Sequence, residues 1–168
     1  AEKWGFTRRQ LDEFSLKSHE KAIQAQNKGR FDKEIMPIEV TFEDGTKTLV
    51  TQDEGPRKDT SIEKMGSLKP AFTENGIIHA GNSSQISDGA AALLLMSKEK
   101  ALELGFKPRF KVLARTVIGS DPTLMLTGPI EATKLVLEKA NLKVEDIDIF
   151  EVNEAFASVP LAWLEEIK

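Results

Sequence analysis

Three short polar stretches of the sequence carry side chains that bind ligands or stabilise negative charge. They are residues 81–84 (GNSS), the pair Arg57 and Lys58, and the pair Asn153 and Glu154. Small residues let a ligand approach the backbone. A guanidinium is well suited to gripping a phosphate, and an amide can hold a water or donate to a developing oxyanion. Ligand binding and oxyanion support are therefore the chemistry that these stretches offer.

Each stretch also has an ordinary structural interpretation. Gly, Asn and Ser at 81–84 are typical of a turn, which composition alone favours. Asn153 is a good helix N-cap. Glu154 either acts as a general base or complements a helix dipole, and Arg57 in a loop is usually only solvated. The residues alone leave these alternatives open.

The elements that must position these stretches alternate between helix and strand. Helical spacing of apolar residues predicts helices over 7–29, 99–105 and 128–141, and another that begins within 151–157. Strand patterns predict a β-hairpin over 38–51, a buried strand over 90–97, and strands over 109–119 and 146–150. Residues 52–76 form a long irregular connection, and such loops are often functional. The alternation in the second half favours a layered α/β arrangement.

Composition excludes several classes of function. The 168 residues are 40% hydrophobic and 30% charged with a net charge of −4, which predicts no nucleic-acid partner and no membrane surface. No apolar run in the sequence approaches the length of a membrane-spanning helix, which is about 20 residues. The chain has no cysteine and only two histidines, His19 and His79, so we expect no metal site. It begins without Met and ends within an amphipathic run, so we expect part of a longer protein, with a processed chain as the alternative.

Five segments occur together in a characteristic order and spacing. They are residues 29–40 (GRFDKEIMPIEV), 69–72 (KPAF), 80–97 (AGNSSQISDGAAALLLMS), 119–130 (GSDPTLMLTGPI) and 151–157 (EVNEAFA). Jointly they resemble the thiolase family, the acetyl-CoA acetyltransferases and 3-ketoacyl-CoA thiolases. The resemblance covers essentially the whole chain.

The resemblance implies the fold and its division. It implies part of a thiolase-like layered α/β core that carries a loop-domain insertion for coenzyme A. Residues 1–86 resemble the latter part of that loop domain, and residues 87–107 the end of the N-terminal core half. Residues 108–168 resemble the start of the C-terminal core half.

The resemblance also implies roles for individual residues. Asn153 resembles the catalytic asparagine that holds a water in the thioester oxyanion site. Ser84 resembles the serine that contacts pantetheine, and Arg57 the loop arginine beside the nucleotide end of coenzyme A. The residues that resemble apolar neighbours of the pantetheine and acyl portion are Phe72, Ala80, Met125 and Phe156.

The catalytic groups of the family are missing from this sequence. Thiolases use a nucleophilic cysteine, a histidine in a Gly-His-Pro segment and a second cysteine as acid/base, and none can be assigned in these 168 residues. His79 does not replace the catalytic histidine, because it occupies the threonine-like position before Ala80. We expect a packed or partly exposed histidine there. The isolated chain is therefore expected to be inactive, with the nucleophile supplied by a longer protein.

The implied reaction is acyl transfer between 3-ketoacyl-CoA or acetyl-CoA and coenzyme A through a cysteine thioester. Coenzyme A thioesters are the implied substrates, and no cofactor is expected. The alternatives are a non-catalytic thiolase-like protein that binds acyl-CoA or lipid, a structural α/β domain, and a ketoacyl synthase. The family implies a homodimer or homotetramer, in the cytoplasm or an organelle matrix, with targeting not visible.

Overall fold

A computed structural model describes residues 1–167. The chain divides into two compact units. Unit 1 consists of residues 1–85 and 154–158, and unit 2 consists of residues 86–153 and the residues from Val159 onward.

Unit 1 is built on the long helix α1, Arg8–Asn27. A capping box fixes its start, because Thr7 Oγ1 accepts from the Gln10 amide at 3.3 Å and Gln10 Oε1 accepts from the Thr7 amide at 2.8 Å. After the helix, Gly29 adopts a φ of 63°, which a glycine takes without strain. The predicted helix is confirmed.

A β-hairpin follows in the same unit. Strands β1 (Ile38–Thr41) and β2 (Lys47–Val50) are antiparallel, with Ile38 opposite Val50. Asp44 Oδ1 accepts from the Thr46 amide at 2.9 Å and closes the turn, where Gly45 has a φ of 83°. The predicted hairpin is confirmed.

The core of unit 1 lies between α1 and a short helix α2, Ile62–Gly66. Its largest fully buried side chains are Leu11, Met65 and His79. Arg8 Nη2 donates to the Met65 carbonyl at 2.9 Å and ties the start of α1 to α2. Short 3-10 helices at Glu2–Trp4 and Ala80–Asn82 complete the unit.

Within its described residues, unit 2 contains three α-helices and a 3-10 helix at Val144–Asp146. Helix α3 is Lys98–Glu103, helix α4 is Gly128–Ala140, and helix α5 spans Ser158–Glu166, from the last residue of unit 1 into unit 2. Trp163 on α5 is buried, donates to Thr133 Oγ1 at 2.8 Å and packs against Phe150 with ring centroids 4.9 Å apart. The predicted helices over 99–105 and 128–141 are confirmed.

The predicted strands over 90–97, 109–119 and 146–150 are wrong. Within residues 1–167 the hairpin β1–β2 is the sheet that the structure contains. Most apolar side chains in the three segments are exposed, Val117 to 96%. A strand needs a neighbouring strand to pair its backbone groups, and no described residue forms a ladder with these segments. Apolar alternation indicates the residue types of a buried strand, but it does not supply the partner.

The last predicted helix begins later than the sequence suggested. Helix α5 starts at Ser158, and residues 151–154 precede it without regular structure. The N-cap interpretation of Asn153 is therefore wrong. Across residues 1–167, none of the helices has the combination of length and apolarity that a membrane crossing requires.

Candidate functional site

A buried polar network supports the GNSS stretch in unit 1. His79 is 0% exposed and Asp12 on α1 is 3% exposed. Asp12 Oδ1 lies 2.7 Å from His79 Nε2 and accepts from Asn82 Nδ2 at 3.0 Å. We expected His79 to be packed or partly exposed, and the structure shows that it is packed.

Hydrogen bonding fixes the tautomer of His79. Its Nδ1 lies 3.1 Å from the Gly81 amide nitrogen. A backbone amide can only donate, so Nδ1 carries no proton. The ring proton therefore lies on Nε2 and faces the carboxylate of Asp12.

The same network fixes the backbone that leads to Ser84. Asn82 Oδ1 accepts from the His79 amide at 3.0 Å, and Ser83 Oγ donates to the His79 carbonyl at 2.8 Å. A Cβ added to Gly81 would lie 2.9 Å from Leu68 Cδ1 and 3.1 Å from the His79 ring. A larger residue at this position would therefore displace the Leu68 methyl and press on the buried His79 ring.

The GNSS stretch pairs with the chain at 155–157. The Ser84 amide donates to the Ala155 carbonyl at 2.9 Å, and the Ala157 amide donates to the Asn82 carbonyl at 3.0 Å. Ser83 and Phe156 form an antiparallel bridge between these bonds. Two motifs that the sequence presents separately are thus one structural feature.

Several exposed side chains lie close to this pairing in the chain. Phe72 is 71% exposed, and its ring meets that of Phe156 edge-on, with centroids 5.8 Å apart. Ser84 is exposed, and its Oγ lies 3.4 Å from the Gln85 carbonyl oxygen, a weak contact that a ligand can replace. Ala80 is exposed at the start of the short helix. Aromatic rings, small residues and one hydroxyl suit an apolar arm with few polar groups.

The segment that carries Arg57 is fastened to unit 1. Arg57 is exposed, and its amide lies 3.2 Å from His19 Nδ1. Gln85, which follows Ser84, donates from Nε2 to the Gly55 carbonyl at 2.9 Å. The chain that presents Ser84 therefore also holds the segment that presents Arg57.

Several supporting residues were missed by the sequence analysis. Asp12, Gln26 and Gln85 lie in polar patterns that look solvated, and nothing in their local sequence distinguishes them. Glu154 was considered as a general base or a helix-dipole partner. Its Oε2 accepts from Ser18 Oγ at 2.8 Å, and α5 begins after it.

Met125 and Asn153 belong to unit 2. Met125 is exposed, and its backbone has a φ of 55°, which residues other than glycine rarely adopt. Ser120 Oγ donates to the Met125 carbonyl at 2.6 Å, and the Met125 amide donates to the Asp121 carbonyl at 2.7 Å. This turn therefore holds the strained residue in place. Asn153 is exposed in the irregular segment before α5.

Other features of the described chain do not coincide with the predicted residues. An open cavity of ≈ 360 Å³ in unit 2 is lined by residues that include Leu137, Val144 and Ile167. No cluster of three His, Cys, Asp or Glu side chains in residues 1–167 is arranged to hold a metal ion.

Known proteins match this chain along nearly its whole length. Residues 1–99 match the family profile described as thiolase, N-terminal domain, and residues 106–168 match thiolase, C-terminal domain. The chain is 48% identical over 165 residues to the 3-ketoacyl-CoA thiolase of Marinobacter nauticus, which covers 98% of this chain and 42% of that protein. It is 47% identical over 172 residues to the peroxisomal 3-ketoacyl-CoA thiolase of Homo sapiens. That match covers 100% of this chain and 41% of the human protein.

A solved structure is also similar. The crystal structure of the Bacillus anthracis acetyl-CoA acetyltransferase matches with a TM-score of 0.95 and 42% sequence identity. The match covers 99% of this chain and 42% of that chain. The chain thus spans about 42% of the length of the Marinobacter relative as well as of this structure.

Proposed function

Because the chain belongs to the thiolase family, we propose that the complete protein exchanges acyl groups between 3-ketoacyl-CoA or acetyl-CoA and coenzyme A through a cysteine thioester. Family membership follows from the matches over residues 1–99 and 106–168. The predicted fold class, part of a thiolase-like α/β fold, is confirmed by the similarity to the Bacillus anthracis enzyme. The proposed share of this chain in the activity is coenzyme A binding and oxyanion support.

The pairing of residues 82–84 with 155–157 carries the proposal of coenzyme A binding. It holds exposed Ser84 one residue from the bridge between Ser83 and Phe156, and the ring of Phe156 in turn meets that of Phe72. Pantetheine is a long arm with amide groups separated by apolar carbons. In the proposed complex Ser84 hydrogen-bonds to the arm, the two rings pack along its carbons, and Ala80 leaves room for it.

Arg57 is the proposed partner of a phosphate at the nucleotide end. It is exposed, and the backbone around it is held by Gln85 and His19. A segment whose backbone is held loses less conformational entropy on binding than a free loop, and the planar donors of a guanidinium match phosphate oxygens.

Asn153 is proposed to support the oxyanion through a bound water. Charge develops on the thioester oxygen when the enolate forms, and a preorganised donor at such an oxygen is worth ~2.7–4 kcal/mol of activation free energy. The side chain of Asn153 is exposed, which leaves its amide open to a ligand. Met125, exposed on its strained turn, is the proposed neighbour of the acyl portion.

The nucleophile is proposed to lie outside these residues. The sequence contains no cysteine, so the thioester cannot form on this chain. We therefore expect the 168 residues alone to bind coenzyme A without turnover. The complete protein is proposed to act as a homodimer or homotetramer with coenzyme A thioesters as its substrates and no further cofactor. Its proposed compartment is the cytoplasm or an organelle matrix, in keeping with bacterial and peroxisomal relatives.

The proposal is tested by titrating coenzyme A into the complete protein and into Ser84→Ala, Arg57→Ala and the control Lys33→Ala. Lys33 is an exposed cation of unit 1 outside the proposed face. The Ser84 and Arg57 variants should bind about three- to tenfold more weakly, as expected for one lost polar contact each. The control should bind as the wild type does. Unchanged affinity in both site variants would contradict the site, and absence of thiolysis by the complete protein would contradict the activity.

A further inference from the structure

The backbone of residues 53–57 is held at every second residue by side chains from elsewhere in unit 1. The three hydrogen bonds are Gln26 Nε2 to the Asp53 carbonyl (3.0 Å), Gln85 Nε2 to the Gly55 carbonyl (2.9 Å), and the Arg57 amide to His19 Nδ1 (3.2 Å). His19 and Gln26 lie about two turns apart on the same face of α1. The segment that presents Arg57 is therefore anchored at its end by His19.

The bond from Arg57 to His19 exists only for a neutral imidazole. The amide of Arg57 is a donor, so Nδ1 of His19 must offer a lone pair. In the imidazolium form both ring nitrogens carry protons, and two N–H groups would face each other. The two glutamine bonds have no titratable partner, so His19 is the one tether of these three that pH can break.

The surroundings of His19 favour the neutral form. The charged groups that face it are Arg57 and Glu154, and the Ser18 hydroxyl donates to Glu154. Partial burial lowers the pKa of His19 most, the Arg57 charge lowers it further, and Glu154 opposes both. His19 is thus an acceptor at neutral pH.

We propose that His19 is a positioning residue that, while neutral, holds Arg57 for a phosphate of coenzyme A, and that its protonation at mildly acidic pH releases the segment and weakens binding. This inference rests on the proposed phosphate contact of Arg57. It adds a residue with no ligand contact of its own, whose protonation state sets how well the neighbouring guanidinium is placed.

The test is calorimetric titration of coenzyme A into the complete wild-type protein, His19→Asn and His19→Leu. Asparagine keeps an acceptor oxygen near the position of Nδ1 and does not titrate, whereas leucine keeps bulk and removes the acceptor. At about pH 7.5, where an ordinary histidine is neutral, His19→Asn should stay within about twofold of wild type. His19→Leu should bind about three- to tenfold more weakly, the effect of one lost hydrogen bond.

The pH dependence is measured as the ratio of wild-type to His19→Asn affinity, because the phosphates of coenzyme A also titrate and this ratio cancels their effect. As the pH is lowered stepwise below the ordinary pKa of histidine and through the lowered pKa of His19, the wild type should fall toward His19→Leu while His19→Asn does not. A ratio that stays constant or rises on acidification would overturn the inference. Equal binding by His19→Leu and wild type at the higher pH would also overturn it.

A double-mutant cycle separates this inference from the proposed function. If Arg57→Ala binds as wild type, the phosphate contact itself is wrong. If Arg57→Ala binds weakly and His19→Leu binds normally, the contact stands and the positioning role is wrong. If the phosphate contact and the positioning role are both right, His19→Leu should cause no further loss of affinity in the Arg57→Ala background, because the effect of His19 acts through Arg57. Additive losses would indicate a general structural effect and overturn the inference.

Discussion

His79 Nε2 lies 2.7 Å from Asp12 Oδ1, and both side chains are shielded from solvent in the core of unit 1. The pair joins helix α1 to the GNSS stretch across 67 residues of sequence. The carboxylate also accepts from Asn82, and Arg8 lies 3.7 Å from its second oxygen. The backbone that leads to Ser84, at the proposed ligand site, is thus held through the buried carboxylate of Asp12.

Removal of the buried carboxylate should destabilise the protein strongly. Asp12→Ala leaves His79 Nε2 and one Asn82 donor bond without the acceptor Oδ1. Leaving a buried donor unsatisfied costs about 1–3 kcal/mol of unfolding free energy, and two donors lose their acceptor here. Urea denaturation followed by circular dichroism measures this. Glu20→Ala, an exposed carboxylate on the same helix, is the control and should change the free energy by less than about 0.5 kcal/mol. Equal midpoints for the two variants would contradict the buried network.

A methyl group at Gly81 should disturb the stretch that presents Ser84. Leu68 can move its methyl, but the nearby His79 ring is buried and bonded at both nitrogens. Gly81→Ala should therefore lose about 1–3 kcal/mol of unfolding free energy through overpacking. Gly89→Ala is the matched control, since its added Cβ meets nothing within 4 Å. If thermal melting gives the same shift for both, the packing argument fails.

Stability should fall on mild acidification because of His19. Partial burial, helped by Arg57, lowers its pKa in the folded protein below the ordinary 6.5. Above that value both states are neutral, and below it the unfolded chain binds the proton first, so the folded state loses stability as pH falls through 6.5. Urea midpoints measured across this range should fall less steeply for His19→Asn than for wild type. Identical slopes would contradict the prediction.

Phe72 should matter more for ligand binding than for stability. The ring is 71% exposed and contacts Phe156 edge-on, a pair worth about 0.5–1.5 kcal/mol. Phe72→Ala should lose no more than that in unfolding free energy, while coenzyme A affinity of the complete protein falls about tenfold through lost apolar burial. Phe42→Ala, an exposed ring beside the hairpin turn, should leave affinity unchanged. A large loss of stability with normal affinity would assign Phe72 to the core instead.

Met125→Gly should separate backbone strain from side-chain function in unit 2. Glycine adopts the φ of 55° freely, which removes about 1 kcal/mol of strain, and little packing is lost because the methionine side chain is exposed. The expected variant is as stable as wild type or more so. With the side chain gone, the KM of the complete protein for acyl substrates should rise if Met125 contacts the acyl portion. A normal KM would remove Met125 from the proposed site.

Local chemistry made part of this fold predictable. Thr7 with Gln10 defines a helix start within four residues, and the Asp44-Gly45 turn defines the hairpin between its own strands. Partners distant in sequence were not predictable in this way. The spacing that placed Leu11 on the buried face of α1 gave no reason to bury the charge beside it at Asp12.

The candidate site shows the same limit. The family resemblance named Ser84 and Phe156, but no local pattern indicates that the segments carrying them pair, or that His19 meets the Arg57 amide. The strand predicted over 109–119 was wrong for a related reason. Alternation of apolar residues shows which face of a segment is apolar, but not which part of the chain covers that face.

The pairing of Ser84 with Ala155 has a consequence for synthesis of the chain. Unit 1 takes the pairing partner of residues 82–84 from residues 155–157, after the ribosome has passed through residues 86–153. At ~5–20 residues per second the delay is of the order of several seconds. During that interval the Ser84 amide has no Ala155 carbonyl to bond, so a nascent chain stalled before residue 155 should show rapid amide exchange at Ser84 and slow exchange along α1.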